Sequence, residues 1–117
     1  MAETQKEKLK IPQGETYRHT FHYRDSVTGA IIDLTGYTAR MQIRASVESA
    51  TKLYDSTTLG DITVSGSFGD VLLEIPAAVT TAWTFRNAVY DLEIIDGSGK
   101  VTRLVQGTVI VSPEVTR

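Results

Sequence analysis

The clearest periodicity in the chain lies near its C-terminal end. In residues 89–95, Tyr90, Leu92 and Ile94 alternate with Asp91 and Glu93, which predicts a strand with one buried face and one face carrying carboxylates. A second run, 101–111, is the longest apolar-rich stretch, and Asp96, Gly97, Ser98 and Gly99 between the two suit a tight turn, so the pair reads as a hairpin. The length of the second run predicts an interior position in a sheet, with Gly107 marking a bulge or a close backbone approach.

The same period of two recurs upstream. Tyr17, His19, Phe21 and Tyr23 alternate with Thr16, Arg18, Thr20 and His22, and Ala39, Met41 and Ile43 alternate with Arg40, Gln42 and Arg44. Between these strands, Asp25 to Gly29 forms a turn, Ile31 and Ile32 a brief apolar segment, and Asp33 to Tyr37 a second turn. Residues 45–58 lose the period except at Lys52, Leu53 and Tyr54, which suit a short edge strand; the stretch is predicted to be a working loop. Ile62 and Val64, a turn bearing Gly66 and Gly69, and Val71, Leu73 and Ile75 predict another hairpin. Pro76 closes it, residues 77–83 suit one or two helical turns, and Trp83 and Phe85 are expected to plug an open end.

About seven strands at this spacing, with at most one short helix, predict an all-β fold. The expected architecture is an immunoglobulin-like antiparallel β-sandwich, with a small β-barrel as the alternative. The expected organisation is a flexible N-terminal arm over 1–12, the sandwich over 13–112 and a tail over 113–117. Leu9 and Ile11 are the apolar residues with which the arm would add to a sheet edge.

Composition narrows the chemistry. The 117 residues suffice for one domain with its own core, and the absence of cysteine excludes disulfides, thiolate metal sites and cysteine nucleophiles. A net charge of -2 gives no general drive towards nucleic acid or anionic membrane. Residues 1–10 have no apolar core of a secretory signal, and no run approaches the roughly 20 apolar residues of a membrane helix, so a soluble protein is expected.

Candidate catalytic groups do not assemble. His19 and His22 stand three apart on a strand, on opposite faces, and cannot share a metal. Ser65 and Ser67 lie in a turn without a Gly-x-Ser-x-Gly elbow. The glycine turns at 66–69 and 96–99 lack the lysine and helix of a phosphate loop and the ligands of a calcium loop. Asp91 and Glu93 read as a surface ladder with Arg40, Arg44 and Arg103. The expectation is a protein without enzymatic activity, cofactor or metal.

A resemblance adds a context. Gly14-Glu15-Thr16-Tyr17, Asp33-Leu34-Thr35-Gly36-Tyr37, Ala39-Arg40-Met41-Gln42-Ile43-Arg44, Val89-Tyr90-Asp91-Leu92-Glu93 and the closing Gly107-Thr108-Val109 follow one another in an order that resembles small virion proteins of tailed bacteriophages. The order is similar to the immunoglobulin-like N-terminal domain of phage upper-baseplate proteins. The resemblance implies a structural adaptor of the virion, made in the bacterial host cytoplasm, that docks onto other virion proteins in a symmetric oligomeric assembly. It brings no catalytic residues. The family's helical trimerisation segment and receptor-binding domain have no counterpart in these residues, which leaves collar, fibre-attachment and capsid-decoration roles as alternatives. The residues expected to meet a partner are Leu9 and Ile11, Lys52, Leu53 and Tyr54, and Arg40 and Arg44. The alternative from another class is a carbohydrate-binding host-recognition module, which requires Tyr54 and Trp83 to be exposed for stacking on a glycan.

Overall fold

Alternating sequence places one apolar face on each strand, and those faces can only be satisfied by burying them against one another. The computed structural model describes residues 4–25 and 27–116, without the side chains of 58 and 59. The larger sheet contains β1 (Gln5–Lys6), β2 (Leu9–Pro12), β4 (Thr38–Arg44), β5 (Tyr54–Asp55), β8 (Asn87–Ile95) and β9 (Val101–Ser112). Its order is β1-β9-β8-β4-β5, with β2 continuing β1 along the same edge of β9. The smaller sheet, in the order β3-β7-β6, is antiparallel and contains β3 (Tyr17–His22), β6 (Ile62–Ser65) and β7 (Asp70–Ile75). The chain is therefore all-β, one mixed sheet and one antiparallel sheet facing each other across a single core. Phe21 of β3 and Tyr90 of β8 meet across it with ring centroids 6.5 Å apart.

The predicted long strands appear at their expected places, and Pro76 closes β7 as anticipated. Pro76 precedes helix α2 (Ala77–Thr81), and Trp83 packs edge-on against Tyr54 and tilted against Phe85, with ring centroids 5.8 and 5.1 Å apart. The count differs: the described residues form nine strands, two short α-helices and a 3-10 turn at Gly66–Phe68, against about seven strands and at most one helix. Strands β1 and β5 are two residues each, too short to carry a period, and a second helical turn, α1 (Ser56–Leu59), follows β5. The reason for α1 is local: the Asp55 carboxylate accepts from the Thr57 backbone N–H at 3.0 Å, and Gly60 ends the turn in the left-handed region at φ 70°. Within α1, the buried Ser56 hydroxyl accepts the backbone N–H of Met41 at 2.9 Å, satisfying the edge of β4 where β5 has turned away.

The arm is corrected by the structure over residues 5–12. Gln5 and Lys6 pair with Val105 and Gln106, and Leu9 to Pro12 pair with Val109 to Ser112, both in parallel. Leu9 and Ile11 lie in the core at 1% and 0% exposure. Two apolar side chains spaced by two residues are enough to hold the strand once a parallel partner, some 100 positions away in sequence, offers a ladder. Residues 1–3, also assigned to the arm, lie outside the described residues. At the other end Glu114 is tied back, its backbone N–H donating to Gln13 Oε1 at 2.9 Å.

The break between β1 and β2 explains Gly107. A side-chain carbon there would fall 2.1 Å from the Glu7 carbonyl oxygen, so only glycine admits that carbonyl; the Tyr90 hydroxyl donates to the same oxygen at 2.7 Å. Gly107 is thus the close approach. The bulge lies earlier: Leu92 pairs with Val105 but Glu93 with Arg103, so Leu104 is the extra residue. As a result two consecutive residues, Leu104 and Val105, are both fully buried.

Candidate docking face

The outer face of the larger sheet follows directly from its register. Antiparallel pairing sets Arg40 opposite Glu93 and Glu93 opposite Arg103, a row of alternating charge. In the next row Gln42 faces Asp91, Asp91 faces Gln106, and Gln106 faces Lys6 of β1. The third row runs Arg44, Val89, Thr108. Over the second and third rows lies an open cleft of about 520 Å³, bounded by Lys6 and Arg103 on one side and by Arg44 and Val47 on the other, with Val89, Asp91 and Gly107 in its floor.

The charges are not equivalent. Arg40 Nε lies 2.8 Å from Glu93 Oε1, and Arg103 Nε 3.6 Å from Asp91 Oδ2. Arg44 is held by the Ser49 carbonyl at 2.7 Å and by Gln42 Oε1 at 2.9 Å. The Lys6 ammonium has no hydrogen-bonding or ionic partner among the described residues. Partial burial, reinforced by the neighbouring Glu93, pushes the Asp91 carboxyl above its ordinary range despite Arg103, Arg40 and Arg44.

Other titratable groups are engaged structurally. Asp70 Oδ1 sits 2.7 Å from His22 Nδ1 and 3.1 Å from Arg24 Nη2, and hydrogen bonding from His22 and then Arg24 holds its carboxyl below the usual range. Arg24 also donates to the Tyr23 and Gly69 carbonyls, so this cluster clasps the β6–β7 turn. On the inner side of β3, Glu7 Oε1 lies 3.0 Å from His19 Nε2, an electrostatic contact without hydrogen-bond alignment. The Tyr54 hydroxyl donates to Asp61 at 2.6 Å, and burial followed by that bond pushes the phenol well above its ordinary value. No group of three or more acidic or histidine side chains among the described residues is placed to hold a metal ion.

Of the residues expected to meet a partner, the structure brings only Arg40 and Arg44 onto one exposed face. Leu9, Ile11 and Tyr54 are core side chains and cannot serve, because each is at most 4% exposed. Leu53 packs partly against the core, and Lys52 pairs with Asp55 at 3.0 Å on the β5 edge. Lys6, Val47 and Val89 carry no individual signal in the sequence; strand order sets Val89 opposite Arg44 and brings Lys6 to the far margin of the same cleft, while Val47 follows three residues after Arg44. Tyr54 and Trp83, the aromatics a glycan platform requires, are 4% and 6% exposed, which removes the main support for carbohydrate binding. Compared with known proteins, the chain matches no protein-family model and no curated protein.

Proposed function

We propose that this chain is an immunoglobulin-like β-sandwich serving as a non-enzymatic structural protein of a tailed-bacteriophage particle, docking onto other virion proteins through the outer face of its larger sheet. The fold part of this reading is supported by strand order. β9-β8-β4-β5 against β3-β7-β6, with the chain crossing between sheets after β2, β3, α1 and β7, corresponds to the two-sheet arrangement of variable-type immunoglobulin domains. The particle part is supported by the order of motifs from Gly14 to Val109. A tail, baseplate or fibre-attachment adaptor is preferred over capsid decoration on that resemblance.

One observation carries the docking role: an open cleft of about 520 Å³ in a sheet face of mixed charge. A face presenting valine beside arginine and lysine suits contact with another protein, and a modest contact per copy becomes firm when copies are arrayed symmetrically. The test is mass spectrometry of purified particles together with localised density for a domain of this shape. Particles containing the protein in stoichiometric amounts fit the proposal, and its absence from clean particles refutes it.

A further inference from the structure

We propose that the cleft on the larger sheet receives an acidic peptide segment of a partner protein, in which an apolar side chain stands between carboxylates. The inference deepens the docking role proposed above and rests on it. Lys6, Arg44 and Arg103 border the cleft against the single carboxylate Asp91, an excess of two positive charges in a chain whose net charge is -2. The cations stand on opposite margins, Lys6 on β1 and Arg44 on β4, three strand spacings or about 14 Å apart, wide enough for one peptide segment. The Lys6 ammonium is unpartnered among the described residues, and Arg44 spends only two of its five N–H donors on Ser49 and Gln42. Both retain capacity for an incoming carboxylate.

The floor sets the order of residues in the occupant. Gly107 lends only backbone to the floor, its side-chain position facing inward onto Glu7, while Val89 offers an apolar surface and Val47, 80% exposed, stands at the margin. Asp91 repels a carboxylate at the centre of the floor, which leaves the margins for acidic groups and the centre for an apolar one. An acidic–apolar–acidic segment satisfies all three demands. A polyanion such as single-stranded nucleic acid satisfies only the margins.

Amide NMR titration of the whole protein tests this, using a peptide with a Glu-Leu-Glu core, its Gln-Leu-Gln and Glu-Ser-Glu versions, and a single-stranded oligonucleotide. The expected result is saturable shifts at Lys6, Val89 and Thr108 with the first peptide, and at least tenfold weaker binding of the other three probes. Lys6→Glu with Arg44→Glu should weaken Glu-Leu-Glu binding at least tenfold and favour a Lys-Leu-Lys peptide instead. Equal binding of the glutamine version, equal or tighter binding of the oligonucleotide, or no shifts at these amides overturns the inference. The peptide comparisons decide the matter on the unaltered protein even if the double variant fails to fold. Particles that contain the protein although the peptides show no preference refute this inference alone, whereas particles lacking it refute the structural role.

Discussion

Replacing Gly107 with alanine should push the backbone at Glu7, between β1 and β2, locally away from the larger sheet. The new carbon would lie 2.1 Å from the Glu7 carbonyl oxygen and 2.9 Å from its carbon, both backbone atoms, so the strand and not a side chain must give way. Forcing an extra carbon into a packed site costs about 1–3 kcal/mol. Moving Glu7 also breaks the 2.7 Å bond from the Tyr90 hydroxyl, worth about 1 kcal/mol, for a total of roughly 2–4 kcal/mol. Complete detachment would expose Leu9 and Ile11 at about 1.5–3 kcal/mol each besides losing the ladder, so a local shift is the cheaper response. Urea unfolding should show a lower midpoint with an unchanged slope. Tyr90→Phe should cost about 1 kcal/mol in the native background and close to nothing beside Gly107→Ala, because the bond is already broken. A loss below about 0.5 kcal/mol for Gly107→Ala, or full additivity of the two substitutions, would refute the account of the strand break.

Three further outcomes follow from the same packing. Leu9→Ala should cost about 2–5 kcal/mol in urea unfolding; a frayed arm would lose less than about 0.5 kcal/mol. Ser56→Ala leaves the Met41 N–H buried without an acceptor and should cost about 1–3 kcal/mol, with faster hydrogen exchange at that amide as the specific sign. Asp91 binds its proton more readily in the folded than in the unfolded chain, so stability falls as pH rises from the ordinary carboxylate range through the raised folded value. Asp91→Asn should therefore match or exceed the native protein at neutral pH by up to about 1 kcal/mol, the exposure of the side chain screening the effect. That advantage should close as pH falls to the ordinary carboxylate range, and an Asn variant clearly less stable at neutral pH would refute the argument.

How much of this was legible in the sequence depended on whether a signal was local. Period-two alternation located β3, β4, β7 and β8, because one wet face and one dry face leave their mark within six or seven residues. Strand β2 was half legible: Leu9 and Ile11 marked a segment able to add to a sheet edge, but they sit beside lysines and their parallel partner lies at the opposite end of the chain, so a flexible arm was the competing reading. The bulge was silent: consecutive Leu104 and Val105 break the alternation without announcing which residue is extra. Gly107 was correctly suspected of a close approach, since a glycine inside an apolar strand is otherwise a weakness. The candidate site was half legible. Arg40, Arg44, Asp91 and Glu93 could be placed on wet faces, but the cleft exists only because β4, β8, β9 and β1 lie side by side, and no pattern along the chain encodes that order.

Lysine acetylation footprinting of the free protein and of intact particles tests most directly whether the outer face of the larger sheet is the docking surface. Lys6 borders the cleft, whereas Lys100 stands exposed at the β8–β9 turn and serves as the internal reference. Docking through this face predicts that Lys6 becomes strongly protected in particles while Lys100 keeps its reactivity. Equal labelling of Lys6 in free protein and particles, with protection confined to lysines elsewhere, would contradict the central claim.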